Sequence, residues 1–391
     1  MFVRIIIVVM DSVGAGALPD AAEYGDLGAD TLGNIARCHG GLFLPTLASL
    51  GLGCIHPLDG VEPAGRPLAS YGKMAEVSKG KDTTSGHWEM AGCPLFRPFP
   101  VYPHGFPAEV VDSIEALTGR KVIGNKAASG TEIIAELGEE HLKTGALIVY
   151  TSADSVLQIA AHEDIVPVDK LGAIARRIRD EICRGEHAVG RVIIRPFIGV
   201  PGRFVRTANR HDYSLEPPAP TVLDRLKAAG RMTIGVGKIG DIFAGRGLTD
   251  SHPTKSNDHG MATLETLVRQ ERREGLIFAN LVEFDSVYGH RNDCHGYARA
   301  LERLDGQLAL LLPLLDDRDL LVITADHGCD PTVAGTDHTR EYVPLLAYAS
   351  GRPGRSLGVR ATFADLAATV AENFALKPLP YGTSFLGEIT G

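Results

Sequence analysis

Short apolar runs alternate along this chain with longer stretches of helical periodicity. The first run, Arg4–Met10, is apolar at almost every position, which is typical of a strand buried on both faces. Similar runs predict strands at Leu147–Tyr150, Arg191–Val200, Thr233–Val236, Ile277–Val282, Leu320–Thr324 and Tyr342–Tyr348. Helical patterns lie at Ala108–Leu117, Val168–Cys183, Val222–Ala229, Met261–Glu274, Tyr297–Leu315 and Phe363–Phe374. This alternation predicts an α/β fold with a central, mostly parallel sheet flanked by helices.

Two proline-rich segments interrupt the pattern, at Phe96–Pro107 and at Glu216–Pro220. Proline continues neither a helix nor a central strand, so both segments are expected to be hinges or linkers. The stretch between them has strands and helices of its own. We therefore expect residues 97–216 to form an inserted, smaller α/β domain, and residues 1–96 and 217–391 to form one discontinuous core domain. The alternative is a single domain with two long loops.

Composition and charge exclude several classes of protein. The 391 residues carry a net charge of −9, with 44% hydrophobic and 22% charged residues, which is typical of a globular protein and argues against sequence-independent binding of nucleic acid. No apolar run approaches the roughly 20 residues of a membrane span. Arg4–Met10 leads directly into Asp11 without the small residues of a cleavage site. We expect a cytoplasmic monomer with no membrane or nucleic-acid partner.

The cysteines show no paired motif and no regular spacing. They are Cys38, Cys54, Cys93, Cys183, Cys294 and Cys329. The sequence therefore predicts six free thiols in a reducing compartment.

Three of the predicted strands lead into acidic residues, at Asp11, Asp285 and Asp326. Because open α/β sheets bind ligands beyond the carboxyl ends of their strands, these carboxylates are expected to share one site. Each alone is more readily explained as a turn or a helix cap, but histidines follow, at His290, His327 and His338. Carboxylate and imidazole ligands suit Mn²⁺, Zn²⁺ or Mg²⁺, and six of them fill two sites. Two ions about 3.5–4 Å apart stabilise an in-line displacement, which predicts phosphoryl or sulfuryl transfer.

Such a site still needs a nucleophile or a bound water. The segment Lys81–Glu89 places three hydroxyl groups in a row, at Thr83, Thr84 and Ser85. A metal-bound hydroxyl loses its proton readily, and a helix N-terminus helps to hold a phosphate. The alternative is an N-capping cluster in which Thr84 or Ser85 is the cap. The residues alone do not choose among the three hydroxyls.

Longer motifs are present at Val9–Gly14, Lys81–Glu89, Ile123–Glu132, Tyr150–Ala160, Asn209–Tyr213 and Thr336–Glu341. Together they resemble the alkaline phosphatase superfamily and, more narrowly, its bacterial phosphopentomutase family, over nearly the whole chain. The motifs in the inserted segment make the narrower resemblance specific. It implies an alkaline-phosphatase-like catalytic core with an inserted cap domain, and interconversion of ribose 1-phosphate and ribose 5-phosphate, and of the 2-deoxyribose pair.

The resemblance also implies roles for individual residues. It implies one metal ion on Asp285, His290 and His338 and a second on Asp11, Asp326 and His327. The implied metal is Mn²⁺, and the implied carrier of the phosphoryl group is Thr83. Thr84 and Ser85 stand where the family pattern is loose.

The implied route runs from a phosphothreonine to a bisphosphate intermediate and back, with a sugar bisphosphate as activator. A closing cap would keep water from the phosphothreonine and hold the intermediate while it reorients. Guanidinium groups suit the distal phosphate, and five arginines of the inserted segment are candidates. We expect contacts from Arg191, Arg206 and Arg210, and a solvated basic face for at least two of the five, which also include Arg195 and Arg203. By resemblance, Ser152 and Asp154 contact the ribose hydroxyls and Lys238 reaches a phosphate.

Three other functions are weighed against this one. A phosphatase or phosphodiesterase of the same superfamily would release free phosphate from ribose 5-phosphate. A cofactor-independent phosphoglycerate mutase shares the core, but the motifs of the inserted segment and the position of Thr83 argue against it. A catalytically inactive sugar-phosphate-binding protein should lack a ligand or the nucleophile, yet every expected position is filled.

Overall fold

A computed structural model describes residues 1–152 and 154–391, so Ala153 of the Tyr150–Ala160 motif lies outside the described residues. The strands are β1 (Arg4–Met10), β2 (Ala69–Met74), β3 (Val122–Ala127), β4 (Leu147–Thr151), β5 (Val156–His162), β6 (Arg191–Val200), β7 (Arg203–Arg206), β8 (His211–Ser214), β9 (Met232–Val236), β10 (Asp250–His252), β11 (Gly275–Leu281), β12 (Asp319–Thr324), β13 (Val343–Ala349) and β14 (Ser356–Arg360). The helices are α1 (Thr31–His39), α2 (Pro45–Leu50), α3 (Leu52–Ile55), α4 (Thr83–Met90), α5 (Ala108–Thr118), α6 (Gly130–Thr144), α7 (Val168–Arg177), α8 (Val222–Ala228), α9 (Ile239–Ile242), α10 (Asn257–Gln270), α11 (Cys294–Leu311), α12 (Ala364–Asn373) and α13 (Leu386–Thr390).

The chain divides into two compact units. The core unit comprises Met1–Arg97 and Pro217–Gly391, and the inserted unit comprises Pro98–Glu216. Each has its own sheet.

The sheet of the core unit has the strand order β10-β9-β11-β1-β12-β13-β2-β14. The strands from β10 to β12 run parallel to one another, whereas β13 is antiparallel to both of its neighbours. Every residue of β1 is buried, as its unbroken apolar run predicts. Because β1 lies between β11 and β12 with parallel register, the carboxyl ends of these three strands meet at one edge of the sheet.

The sheet of the inserted unit has the order β3-β4-β5-β6-β7, with β8 also paired to β6. It mixes parallel and antiparallel pairs. Buried side chains of α5 and α7 pack with β4, β5 and β6 in one apolar cluster, and a smaller cluster joins α6 to β4 and Phe197.

Helix starts are set by capping side chains that the apolar pattern does not register. Helix α10 begins four residues before its predicted start because the Ser256 hydroxyl accepts a hydrogen bond from the His259 N–H. Helix α11 begins three residues early because Asp293 caps it through the Gly296 N–H. The predicted helix Val168–Cys183 ends as an α-helix at Arg177 and continues as one π-helical turn.

The prediction of six free thiols is wrong for two of them. Cys38 and Cys294 form a disulfide that joins the last turn of α1 to the first turn of α11. The two helices pack side by side, but 256 residues separate the cysteines, so nothing in their spacing indicates the pairing. Cys54, Cys93, Cys183 and Cys329 are free thiols.

Among residues 1–152 and 154–391, no helix has both the length and the apolar character needed to cross a membrane.

Candidate metal centre

The carboxyl ends of β1, β11 and β12 bring together the three acidic residues predicted from the sequence. Asp11 directly follows β1, Asp285 lies in the turn after β11, and Asp326 lies two residues beyond β12. All three are buried. Three carboxylates converge at this edge because the three strands are adjacent and parallel.

One group of ligand-type atoms consists of Asp11, Asp326 and His327. The His327 Nε2 lies 3.3 Å from the Asp11 Oδ1 and 3.6 Å from the Asp326 Oδ2. One ligand atom from each of the three residues lies within 4.8 Å of the others. This is the trio that the resemblance assigns to one metal ion.

A second group consists of Asp285, His290 and His338. The two carboxylate oxygens of Asp285 face different imidazoles, with Oδ2 3.3 Å from the His290 Nε2 and Oδ1 3.2 Å from the His338 Nε2. The two Nε2 atoms lie 3.2 Å apart. The Cys329 Sγ also lies near Asp285 and His290, although a thiolate is a poor ligand for the harder divalent cations.

The polar atoms of these two groups are arranged as ligands of divalent cations, and not as hydrogen-bonded pairs. Asp11 Oδ1, Asp285 Oδ1 and Asp326 Oδ2 are buried and lack a hydrogen bond of good geometry. Each nevertheless faces an imidazole nitrogen of its own group, at 3.2 to 3.6 Å. Buried acceptors are normally satisfied, so oxygen and nitrogen atoms that converge without pairing indicate ligands of a common ion.

In the absence of metal, the Asp285 carboxylate of the second group forms strong charge pairs with the imidazoles of His290 and His338. Burial alone would raise the pKa of Asp285, but the contacts from His290 and His338 outweigh it and hold that pKa well below its usual range. The contact with Asp285 raises the pKa of His290 to about 11. Around Asp11, burial and the charge of Asp326 raise the carboxyl pKa.

Metal binding at pH 8 is expected to release at least one proton per chain. An imidazole must be neutral to bind a metal ion, yet His290 with a pKa of about 11 carries a proton at that pH. Metal affinity should therefore rise as the pH rises toward 11. The measurement is the colour change of a pH indicator when Mn²⁺ is added to metal-free protein in weak buffer. Metal-saturated protein serves as the control. A proton yield near zero from the metal-free protein would contradict the raised pKa of His290.

A layer of polar contacts behind the candidate ligands holds them in place. The Asn280 side-chain amide donates to the Asp11 Oδ2 at 3.0 Å and lies 3.3 Å from the His87 Nε2. The His87 Nδ1 hydrogen-bonds the Thr83 carbonyl at 2.8 Å and also lies 3.1 Å from the Asp326 Oδ2. The Ser12 N–H donates to the Asp326 Oδ1 at 3.0 Å. Such contacts orient metal ligands and are costly to remove.

The sequence pattern missed Asn280 and gave His87 no definite role. Asn280 occupies an interior position of the otherwise apolar strand β11. A polar amide inside such a run was the available signal, since a buried amide requires partners.

Of the three candidate hydroxyls, that of Thr83 contacts a candidate metal ligand, whereas that of Ser85 is held in the helix cap. Asp82 caps α4, and its side chain accepts hydrogen bonds from the Thr84 and Ser85 N–H groups. The cap is therefore neither Thr84 nor Ser85. The Ser85 hydroxyl is buried and contacts Glu76 and the Asp82 carbonyl, whereas the Thr83 Oγ1 lies 3.3 Å from the His327 Nε2.

Helix α4 packs closely against the segment after β12 that carries Asp326. A Cβ atom on Gly86 would lie 2.2 Å from the Asp326 carbonyl oxygen, so only glycine fits at this position. This contact seats the first turn of α4 beside Asp326.

Arg340 fixes the segment that leads into α4. This arginine is buried, and its Nη1 donates to the Glu76 carboxylate and to the carbonyls of Ser78 and Gly80, at 2.7 to 2.8 Å. Arg340 follows His338 by two residues. One side chain thus ties the segment before Thr83 to the segment that carries a candidate ligand, which the sequence analysis did not anticipate.

In the inserted unit, three arginines line a cavity of about 660 Å³, namely Arg195, Arg206 and Arg210. The nearby Tyr150 hydroxyl is buried with no hydrogen bond to any residue that the structure describes, and burial raises its pKa to about 12. The structure thus groups Arg206 and Arg210 with Arg195. Arg191 instead lies 3.5 Å from both Asp154 and Asp212.

The remaining predicted contacts are distributed over both units. In the inserted unit, Ser152 is half-buried and Asp154 is exposed, each close to the start of β5. In the core unit, Lys238 is exposed just beyond the carboxyl end of β9.

Nearly the whole chain is similar to a known family of metalloenzymes. A family model described as the metalloenzyme superfamily matches residues 3–378. A solved structure from Pyrococcus horikoshii shares the fold, with a TM-score of 0.50 and 13% sequence identity over 95% of this chain and 97% of that one.

Two relatives give a narrower assignment. A phosphopentomutase of Caldanaerobacter subterraneus subsp. tengcongensis is 59% identical over 391 residues, covering 100% of this chain and 98% of its own. A phosphopentomutase of Carboxydothermus hydrogenoformans is 56% identical over 387 residues, covering 99% of each chain. The chain belongs to the metalloenzyme superfamily and, within it, to the phosphopentomutase family. The predicted fold class, the resemblance and the phosphopentomutase function are therefore confirmed, and divalent metal binding is supported.

Proposed function

We propose that this protein interconverts ribose 1-phosphate and ribose 5-phosphate, and the 2-deoxyribose pair, by passing a phosphoryl group through Thr83. Phosphorylated Thr83 gives its phosphoryl group to the free hydroxyl of the pentose phosphate, which forms a bisphosphate and restores the threonine. After the bisphosphate reorients, Thr83 takes back the other phosphoryl group and the isomeric monophosphate leaves. Phosphoryl groups are conserved, and no water takes part.

The observation that carries this proposal is the position of the Thr83 Oγ1, 3.3 Å from the His327 Nε2. The hydroxyl stands at the first position of α4, where the helix dipole favours a phosphate. The alternative Ser85 hydroxyl already bonds Glu76 and the Asp82 carbonyl as part of the helix cap. Thr83 is therefore the hydroxyl best placed to carry the phosphoryl group.

We assign one divalent cation to Asp11, Asp326 and His327, and another to Asp285, His290 and His338. The cations, when bound, supply Lewis-acid stabilisation of the charge that develops on the transferred phosphoryl group. We propose Mn²⁺ for both sites, as the resemblance implies; the carboxylates and imidazoles themselves suit Mn²⁺, Zn²⁺ and Mg²⁺ alike. Asn280 and His87 hold Asp11 and Asp326 at fixed orientation through the contacts described above.

We further propose that the inserted unit acts as the cap and recognises a phosphate through Arg206 and Arg210, joined by Arg195. Their guanidinium groups line one cavity, beside a buried Tyr150 hydroxyl without a partner. A phosphate offers acceptor oxygens to such forked donors. Arg191 is an alternative phosphate contact, although its present partners are Asp154 and Asp212. Ser152 and Asp154 remain our candidates for the ribose hydroxyls, and Lys238 for a phosphate.

The proposed setting is the cytoplasm, with a monomer that is activated by a sugar bisphosphate. A bisphosphate is the expected activator because it can phosphorylate Thr83 and leave as a pentose monophosphate. The chain then enters the cycle in its phosphorylated form.

A coupled assay tests the proposed reaction. Ribose 1-phosphate, Mn²⁺ and a catalytic amount of ribose bisphosphate are supplied, and ribose 5-phosphate and free phosphate are measured in parallel. We expect ribose 5-phosphate without stoichiometric free phosphate. Free phosphate without the isomer would leave the metal centre intact but make the protein a hydrolase. If enzyme that is shown to contain metal and phosphothreonine formed neither product, the proposal would be overturned.

A further inference from the structure

Two Cys-His dipeptides meet on the surface of the core unit, and neither includes a residue assigned to catalysis. Cys38 and His39 form the last two positions of α1, and Cys294 and His295 form the first two positions of α11. The cysteines are joined as a disulfide, and the His39 and His295 Nδ1 atoms lie 3.1 Å apart. The two helices therefore present two sulfur and two nitrogen atoms at one place.

We propose that these four side chains form an additional metal site that takes one thiophilic divalent cation, such as Zn²⁺, when the two cysteines are reduced. The site is separate from the carboxylate and imidazole centre and is independent of the proposed mutase reaction.

The donor set is the first reason for this assignment. Two thiolates with two imidazoles are one of the usual ligand sets of structural zinc, which holds four ligands in a tetrahedron. One nitrogen of His295 lies within 4.8 Å of both Sγ atoms of the disulfide, and His39 adds a nitrogen 3.1 Å from a nitrogen of that same ring. Reduction frees the two Sγ atoms to move apart to the roughly 3.8 Å that two thiolates of one tetrahedral zinc ion require.

The supporting scaffold is the second reason. All four residues belong to helices that pack against each other, so the donors are held by rigid elements instead of loops. Cys38 and His295 are exposed, and His39 is half-buried, which gives an ion direct access from solvent. Helix α11 is further fixed at its start by the Asp293 cap.

The disulfide and the metal site are alternative states of the same two cysteines. Binding of Zn²⁺ needs both thiolates, so it releases two protons from the dithiol. Oxidation by a small-molecule disulfide consumes the two thiolates and two protons, forms the protein disulfide, and yields two small-molecule thiols and free Zn²⁺. In a reducing compartment the dithiol and its metal complex are the expected forms.

Cobalt substitution tests the proposal on the whole, folded protein. Reduced protein whose catalytic sites are loaded with Mn²⁺ is titrated with Co²⁺, and the near-ultraviolet charge-transfer band from thiolate to Co²⁺ is followed. The proposed catalytic ligands contain no thiolate, so this band reports a cysteine site. We expect a band that saturates at one Co²⁺ per chain, disappears when Zn²⁺ is added, and is absent after oxidation by a small-molecule disulfide.

Three variants identify the ligands. Cys38→Ser, at an exposed position, should abolish the band, whereas Cys54→Ser, which changes a partly exposed free thiol elsewhere, should leave it unchanged. His295→Ala should weaken Co²⁺ binding by at least about tenfold, since even changes behind a ligand cost that much. The absence of a band in reduced wild-type protein would overturn the proposal. A band that survives in both Cys38→Ser and His295→Ala would also overturn the proposal, because it would come from Co²⁺ bound by Cys329.

Discussion

Replacing Thr83 with alanine should abolish the interconversion of ribose 1-phosphate and ribose 5-phosphate. The loss expected is at least about a thousandfold, because a reaction that runs through a covalent intermediate has no route without its nucleophile. Thr83 is half-buried, and its hydroxyl makes its one described contact with His327. Stability should therefore change by less than about 1 kcal/mol. Turnover and thermal unfolding of the variant check the two parts of this expectation.

The neighbouring threonine supplies a matched control. Thr84→Ala removes a hydroxyl of the same kind from the next position of α4, while its backbone N–H continues to bond the Asp82 side chain. It should retain most of the activity. Label from a radioactive sugar bisphosphate should appear on wild-type protein and on Thr84→Ala, but not on Thr83→Ala. If labelling and turnover persisted in Thr83→Ala and vanished in Thr84→Ala, Thr84 would be the phosphoryl carrier in place of Thr83.

The sequence predicted the edge of the sheet that carries the site, because buried apolar runs can be recognised one strand at a time. Asp11, Asp285 and Asp326 each follow such a run, and parallel strands bring their carboxyl ends to one edge. The sequence could not indicate which hydroxyl faces the site. That depends on Asp82, which takes the cap position and turns Ser85 away from the ligands.

Other features depend on contacts between distant parts of the chain and leave no local signal. Asn280 and Arg340 act through partners more than 190 residues away, so periodicity cannot reveal their roles. The pairing of Cys38 with Cys294 arises because α1 packs on α11. Arg206 meets Arg195 because β7 pairs antiparallel with β6, and Arg210 directly precedes β8, which also pairs with β6.

Replacing Asp326 with asparagine should remove one of the two metal ions while the other stays bound. Asp326 is fully buried; its Oδ1 accepts the Ser12 N–H, and its Oδ2 lacks a hydrogen bond of good geometry. Asparagine keeps the shape and can still accept from Ser12, but it loses the negative charge that attracts the cation. The other proposed trio, at Asp285, shares no ligand with Asp326. Metal analysis after dialysis should therefore give about one ion per chain, and turnover should fall by at least about a hundredfold.

A second buried carboxylate separates the loss of a ligand from the loss of any buried charge. Asp330 is also buried, but its oxygens accept hydrogen bonds from the Asp30 N–H and from Thr332, so it has no oxygen left to offer an ion. Asp330→Asn should consequently keep two ions per chain. Two retained ions in Asp326→Asn would refute its role as a ligand. Loss of both ions would mean that the two trios form one coupled centre, in which the cation beside Asp326 is needed to hold the Asp285 ligands in place.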